Sequence, residues 1–173
     1  MKKLLLITSF ILVTITTYSQ VITDSIKYRD GKVIIEEVVA VPNATSSQLY
    51  GKAKLFFTKA FNSSKSVIQS EDIENHQIIG HGRVVKHEDQ GYGGIYFDFT
   101  IIIQTKDGKY RYTITDMCIE MTGLAPMNNT AENAVKLKRE KGNPKAIEDF
   151  FDDSKPIIDL LKAQMCLKEE DNW

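Results

Sequence analysis

The dipeptide Asp107-Gly108, set between two runs of alternating apolar residues, constrains this chain more than any other feature in it. A two-residue hairpin of type I′ needs positive φ at both central positions, which Asp and Gly accept and branched residues resist. With these two as the loop, Ile103 pairs with Tyr112, Ile101 with Ile114 and Phe97 with Cys118. Apolar meets apolar at each pair, as one buried sheet face requires. Phe99 opposite Asp116 is the exception, because an unpaired carboxylate on a core face is costly. Either Asp116 accepts hydrogen bonds from a neighbouring loop or terminus, or a bulge turns it outward. A general base is the sharper reading, but no nucleophile or second acid falls beside it. The other face of the hairpin carries Tyr96, Asp98, Thr100, Ile102, Arg111, Thr113 and Thr115. One dry face and one wet face are expected.

Around this hairpin the remaining elements follow from pattern. Lys32 to Val41 is rich in Val and Ile and stops at Pro42, which reads as a first strand. Thr45-Ser46-Ser47-Gln48 has capping-box spacing, and Leu49, Ala53, Phe56, Phe57 and Ala60 behind it recur with helical period, predicting a helix from about Ser46 to Phe61. Asn62-Ser63-Ser64 ends it. A short strand is expected at Ser66–Glu71 and a further one at Gln77–His87, and Gly91 to Gly94 turns the chain into the strand Ile95–Lys106. Gly80 and Gly82, two apart on one strand face, would let a helix approach closely. Residues 120–143 show no period and hold Gly123, Pro126 and the charge run Lys136 to Lys141; they read as a long exposed loop with a helical turn at most near Ala131 to Lys138. A final helix is expected with Ser154 as cap and Pro156 in its first turn, preceded by a shorter one from Pro144 to Phe151.

The N-terminus reads differently. Lys2 and Lys3 precede an apolar run from Leu4 to Ile15 that is too short to span a bilayer, and Thr17, Tyr18 and Ser19 lead to a cleavage point before Gln20. This is the layout of a signal peptide, residues 1–19, followed by a flexible leader, 20–31, and a single domain, 32–168. Cleavage would remove two of the 22 basic residues and leave 20 against 23 acidic ones. That balance argues against a nucleic-acid partner. No further stretch is apolar enough for an integral membrane segment.

Chemical signatures are few. There is no zinc-protease, nucleophile-elbow or phosphate-loop motif, and Gly80-His81-Gly82 precedes a strand rather than a helix. His81 and His87 share a strand face by parity but stand about 20 Å apart, so no metal site is assigned. No cofactor and no catalytic residue is assigned either. An oxidising compartment permits a bridge between Cys118 and Cys166, the alternative being two buried thiols.

Particular words in the sequence carry a resemblance. Val41-Pro42, Gln48-Leu49-Tyr50 with Ala53 and Phe57, Ser66-Val67-Ile68-Gln69, Ile78-Ile79-Gly80-His81-Gly82, and Asp107-Gly108-Lys109-Tyr110-Arg111-Tyr112 with Thr115-Asp116 recur in this order. The chain resembles a secreted Bacteroidetes domain of unknown function with a TBP-like fold. The resemblance implies an α+β fold: a curved antiparallel five-stranded sheet in the order β-α-β-β-β-β-α, with two helices packed on one face. It implies no activity. The expected role is that of an exported, non-enzymatic binding module of the periplasm, outer membrane or secreted fraction. Its wet face, with Tyr96, Asp98, Arg111, Thr113 and Thr115, would meet an envelope protein or glycan, and Tyr96 and Arg111 should lie side by side. The alternatives are a hydrolase using Asp116 and His81, or a self-associating structural component of the envelope.

Overall fold

The alternating runs on either side of Asp107-Gly108 form the two long central strands of one antiparallel sheet. The computed structural model describes residues 26–61, 67–89, 93–123, 127–141 and 145–167. The expected signal peptide, the helix stop at Asn62-Ser63-Ser64 and the Gly91-Tyr92 part of the turn lie outside the described residues. The elements are β1 (Ile26–Arg29), β2 (Lys32–Ala40), α1 (Ser46–Ala60), β3 (Ile68–Asp72), β4 (Gln77–Asp89), β5 (Gly93–Lys106), β6 (Lys109–Met121), β7 (Met127–Thr130), α2 (Ala131–Lys141) and α3 (Lys145–Cys166). The strands lie in the order β1-β2-β6-β5-β4-β3, and β7 joins β6 beyond the start of β2.

The expected class and fold hold; the element count is larger. The sheet has seven strands rather than five, and three described helices rather than two. β1 comes from the end of the expected flexible leader. Asp30-Gly31, the second Asp-Gly of the chain, turns it into β2 with φ of 52° and 80°, as a type I′ hairpin requires. At Asp107-Gly108 only Gly108 takes positive φ, 74°, while the Asp107 carboxylate accepts the Ser46 N–H at the start of α1 at 2.7 Å. Near the turn the register is nonetheless the expected one, with Ile103 on Tyr112 and Ile101 on Ile114, but farther along a bulge shifts it and Phe97 pairs with Ile119 rather than the expected Cys118.

The expected exposed loop at 120–143 is instead the end of β6, then β7, then α2. Ala131 and Ala134 are fully buried. Thr130 caps this helix by accepting the Asn133 N–H, and Glu132 in its first turn accepts the Val33 N–H of β2 at 2.9 Å. The segment's charge hides its burial, because the residues it packs are small.

α1 begins with the expected capping box: Thr45 accepts the Gln48 N–H and Gln48 accepts the Thr45 N–H. It buries Leu49, Ala53, Phe56 and Phe57 against the sheet. Gly80 of β4 lies directly under Phe57, and Gly82 under Phe61 and Phe99; a Cβ at either would collide with those rings. The glycines of β4 therefore set how close α1 comes. Phe97 and Phe99 of β5 stack at 5.3 Å and continue the aromatic layer to Phe150 of α3. Each fully buried aromatic of this layer contributes about 1.5–3 kcal/mol.

α3 is one helix, not two. Pro156 lies inside it, and Ser154, expected as its cap, is buried and donates to the Phe150 carbonyl at 2.7 Å. A hydroxyl turned back on residue i−4 and a missing N–H two residues on both weaken the helix ladder at this point. The break is tolerated because Ile157, Ile158, Leu161 and Met165 continue the same buried stripe beyond it.

Candidate functional site

A strand that buries its odd residues must present its even ones, and β5 does so: Phe97, Phe99, Ile101 and Ile103 are fully buried beneath helices, so Tyr96, Asp98, Thr100, Ile102 and Gln104 point to the helix-free side. β6 presents Arg111, Thr113 and Thr115 there, as expected. Then the parity changes. Thr100 pairs with Thr115 but Asp98 pairs with Cys118, so Asp116 and Met117 together face Phe99. Asp116 has φ of 52°, the left-handed first residue of a bulge. Met117 is buried, and Cys118 and Glu120 join the helix-free face. Of the readings open for Asp116, the bulge is the one that holds.

Five side chains on this face form one constellation. Arg83 of β4 donates through Nε to Asp98 Oδ1 at 2.7 Å and through Nη2 to Asp98 Oδ2 at 2.8 Å. It also reaches the Glu120 carboxylate, and its guanidinium carbon lies 5.1 Å from the centre of the Tyr96 ring. The two carboxylates, Asp98 first, push the guanidinium pKa further up, so its charge is permanent. Cys118 lies beside Asp98, and burial, then the two carboxylates, pushes its thiol pKa up. The bidentate fork and the ring above it hold Arg83 in one orientation. Val85 and His81, its neighbours on β4, are exposed.

The sequence-based face is thus found in outline and corrected in detail. Tyr96 and Thr113 are half-buried, Asp98 is buried under Arg83, Arg111 is exposed, and Thr115 is buried with no described partner for its Oγ1. Thr113 donates to Glu36, a buried carboxylate on β2 that Lys27 and Arg29 also engage. Tyr96 and Arg111 are not side by side. Tyr96 pairs with Glu120 and Arg111 with Gln104, eight β5 residues away, about 26 Å along the strand. Arg83 and Glu120 were missed. The parity shared by His81 and Arg83 on β4 was the available signal for Arg83; Glu120 could not be found without the bulge.

Neither Cys118 nor Cys166 is bridged. The bulge turns Cys118 to the helix-free side, whereas Cys166 ends α3 on the other side, close enough to Tyr110 to act on its hydroxyl. Asp116 and His81 are not brought together: Asp116 is half-exposed and pairs with Lys32 Nζ at 2.6 Å, while β5 separates its strand from that of His81. A second bulge between Val85 and His87 removes the shared parity of His81 and His87. Among the described residues no three His, Cys, Asp or Glu side chains gather as a metal site, and no helix is long and apolar enough to cross a membrane.

Comparison with known proteins agrees with this architecture. Residues 36–120 match the family described as a domain of unknown function (DUF4468) with TBP-like fold. A crystal structure of a DUF4468 family protein from Bacteroides ovatus superposes with a TM-score of 0.63 at 13% identity, covering 86% of this chain and 94% of that one. A TBP-like protein from Parabacteroides distasonis gives 0.60 at 14% identity, with 82% and 98% covered. At these identities the likeness concerns the fold. No curated protein matches the chain.

Proposed function

The chain belongs, through residues 36–120, to the DUF4468 family with its TBP-like fold, and on that premise we propose that it is an exported, non-enzymatic binding module whose helix-free sheet face meets an envelope protein or glycan. The observation that carries this reading is the Arg83 constellation. A guanidinium fixed from behind by Asp98 and Glu120 and covered by Tyr96 has already lost the freedom that binding would otherwise cost. Arg and Tyr are the side chains most favoured at recognition surfaces, and Val85 beside them supplies exposed apolar surface. Export is supported by the Lys2-Lys3 start and the apolar run that follows it.

The test is capture of a partner from the native envelope by the purified domain. Val85→Glu with His81→Glu should abolish capture while leaving the melting temperature unchanged, because both side chains are exposed. Leu160→Glu, on the exposed side of α3, should capture normally. Loss with Leu160→Glu and retention with the β4 pair would reject the assigned face. Fractionation of the full chain tests export, and retention in the cytoplasm would reject it.

A hydrolase built on Asp116 and His81 would need both at one reacting atom, and the Asp116 carboxylate is engaged by Lys32 instead. Light scattering on the purified protein tests the self-associating alternative.

A further inference from the structure

The hairpin end of the same face carries a different chemistry. Lys106 sits directly opposite Lys109, and Gln104 opposite Arg111, with Val38 of β2 on the far side of Arg111. Residues paired this way share one face, with Cβ atoms about 4.5–5.5 Å apart, and like charges so placed repel. Ordinarily a carboxylate relieves such a pair. Here no described carboxylate comes within ion-pair distance of Lys106, Lys109 or Arg111. Asp107 lies between the lysines, but one of its oxygens is spent on the Ser46 N–H.

Arg111 is oriented without being neutralised. Its Nε donates to Gln104 Oε1 at 3.0 Å, Nη2 reaches the same oxygen, and Gln104 Nε2 in turn donates to Gln77 Oε1 at 2.6 Å. A chain of two neutral amides thus aims a charged fork and leaves its charge unmet. These groups border an open depression of about 310 Å³ together with Asn75, an amide from the turn before β4, and Val38. That volume is at the lower end of what small-molecule sites enclose.

We propose that this depression is an anion site, taking a small polar molecule through a carboxylate, sulfate or phosphate group held by Lys106, Lys109 and Arg111. The proposal deepens the binding-module reading by naming a ligand class on the presented face. An oxyanion between the two lysines would turn a repulsive cross-strand pair into an attractive triad, and Arg111 would supply a bidentate contact. Val38 and the amides of Asn75 and Gln104 suit the apolar and hydroxyl parts of a compact ligand such as an acidic sugar.

The purified protein is titrated with sodium sulfate, sodium phosphate, sodium glucuronate and glucose, at ionic strength held constant with sodium chloride. The amide resonances of Gly108, Lys109 and Arg111 are followed. Saturable shifts are expected with at least one of the three anions and none with glucose, and the anion that saturates identifies the oxyanion preferred. Lys109→Gln with Arg111→Gln should weaken binding by about tenfold or more, with the rest of the amide spectrum intact. Leu160→Glu, exposed on α3 across the sheet, should bind as the native protein does. Linear shifts with every anion, or undiminished binding by the double variant, would overturn the site. Because the titration uses defined small molecules, its failure leaves the capture experiment at Val85 and His81 standing, and failed capture leaves the titration standing.

Discussion

The Asp116 carboxylate meets Lys32 Nζ at 2.6 Å where β6 leaves one neighbour for another. Before Asp116, β6 pairs with β2; after it, with β7. Lys32 is the first residue of β2, so the contact spans the seam between the two neighbours. The pair lies in solvent, and the backbone matters more than the charge. A φ of 52° suits Asp, Asn and Gly and opposes branched residues. Asp116→Asn and Asp116→Gly should change stability little, while Asp116→Val should cost about 1–2 kcal/mol. Chemical denaturation of the three variants checks the ordering.

Gly80→Ala should be a damaging single-methyl change at the heart of the sheet. The new Cβ would strike the Phe57 ring, which is fully buried and packs against Phe56 and Phe61. Overpacking of this kind costs about 1–3 kcal/mol. The denaturation midpoint should fall accordingly, and Gly80→Ala with Phe57→Leu should recover part of the loss. Absence of any recovery would show that the strand itself needs glycine.

Acid should unfold the protein through its paired carboxylates. Lys27, with help from Thr113 and Arg29, holds Glu36 below the ordinary glutamate value of 4.5 despite burial, and Lys54 does the same for Glu71. A carboxyl whose pKa is lower folded than unfolded contributes stability that is full above the unfolded value. That contribution is lost as pH falls from about 4.5 through the folded value. Glu36→Gln should cost about 1–2 kcal/mol at neutral pH and lose less further stability on acidification than the native protein. Urea midpoints taken down to about pH 3 would show the two curves converging.

Both thiols should be available, at different rates. Cys166 is exposed, whereas Cys118 is half-buried and its thiol is pushed up by burial, Asp98 and Glu120. Alkylation of the native protein should label Cys166 first and Cys118 slowly, since the thiolate is the reacting form. A reducing agent should leave the melting temperature where it was. A drop on reduction would reveal a bridge.

Much of this architecture was legible where pattern and chemistry spoke together. The Asp107-Gly108 register, the Thr45–Gln48 box and the reason for Gly80 all follow from residue type and spacing. Legibility stopped at Asp116, where a misplaced carboxylate signals a bulge but does not say which way the following residues turn. Cys118 and Glu120 were lost with it. β1 was missed although Asp30-Gly31 repeats the signal used at the central hairpin, because Ile26-Lys27-Tyr28-Arg29 alternate over only four residues within an otherwise polar stretch. α2 was obscured by Lys136 to Lys141, whose charge outweighs the contacts of two alanines. Pro156 carries a preference for a first turn, and only tertiary packing of Ile157 and Leu161 keeps the helix running through it. The Arg83 constellation needed three strands in register at once, one more relation than a single hairpin can supply.

The extra residue at Asp116 has a consequence for the length of the chain as well as for its sequence. Delete Asp116 and the alternation becomes regular, with Met117 still opposite Phe99 and Cys118 still opposite Asp98; add a further residue there and Met117 and Ile119 would swing out to water while Cys118 and Glu120 were driven beneath the helices. Related chains can therefore differ freely in letters along this stretch and can dispense with the extra residue, but a lone insertion at that spot should be as damaging as the loss of a core aromatic.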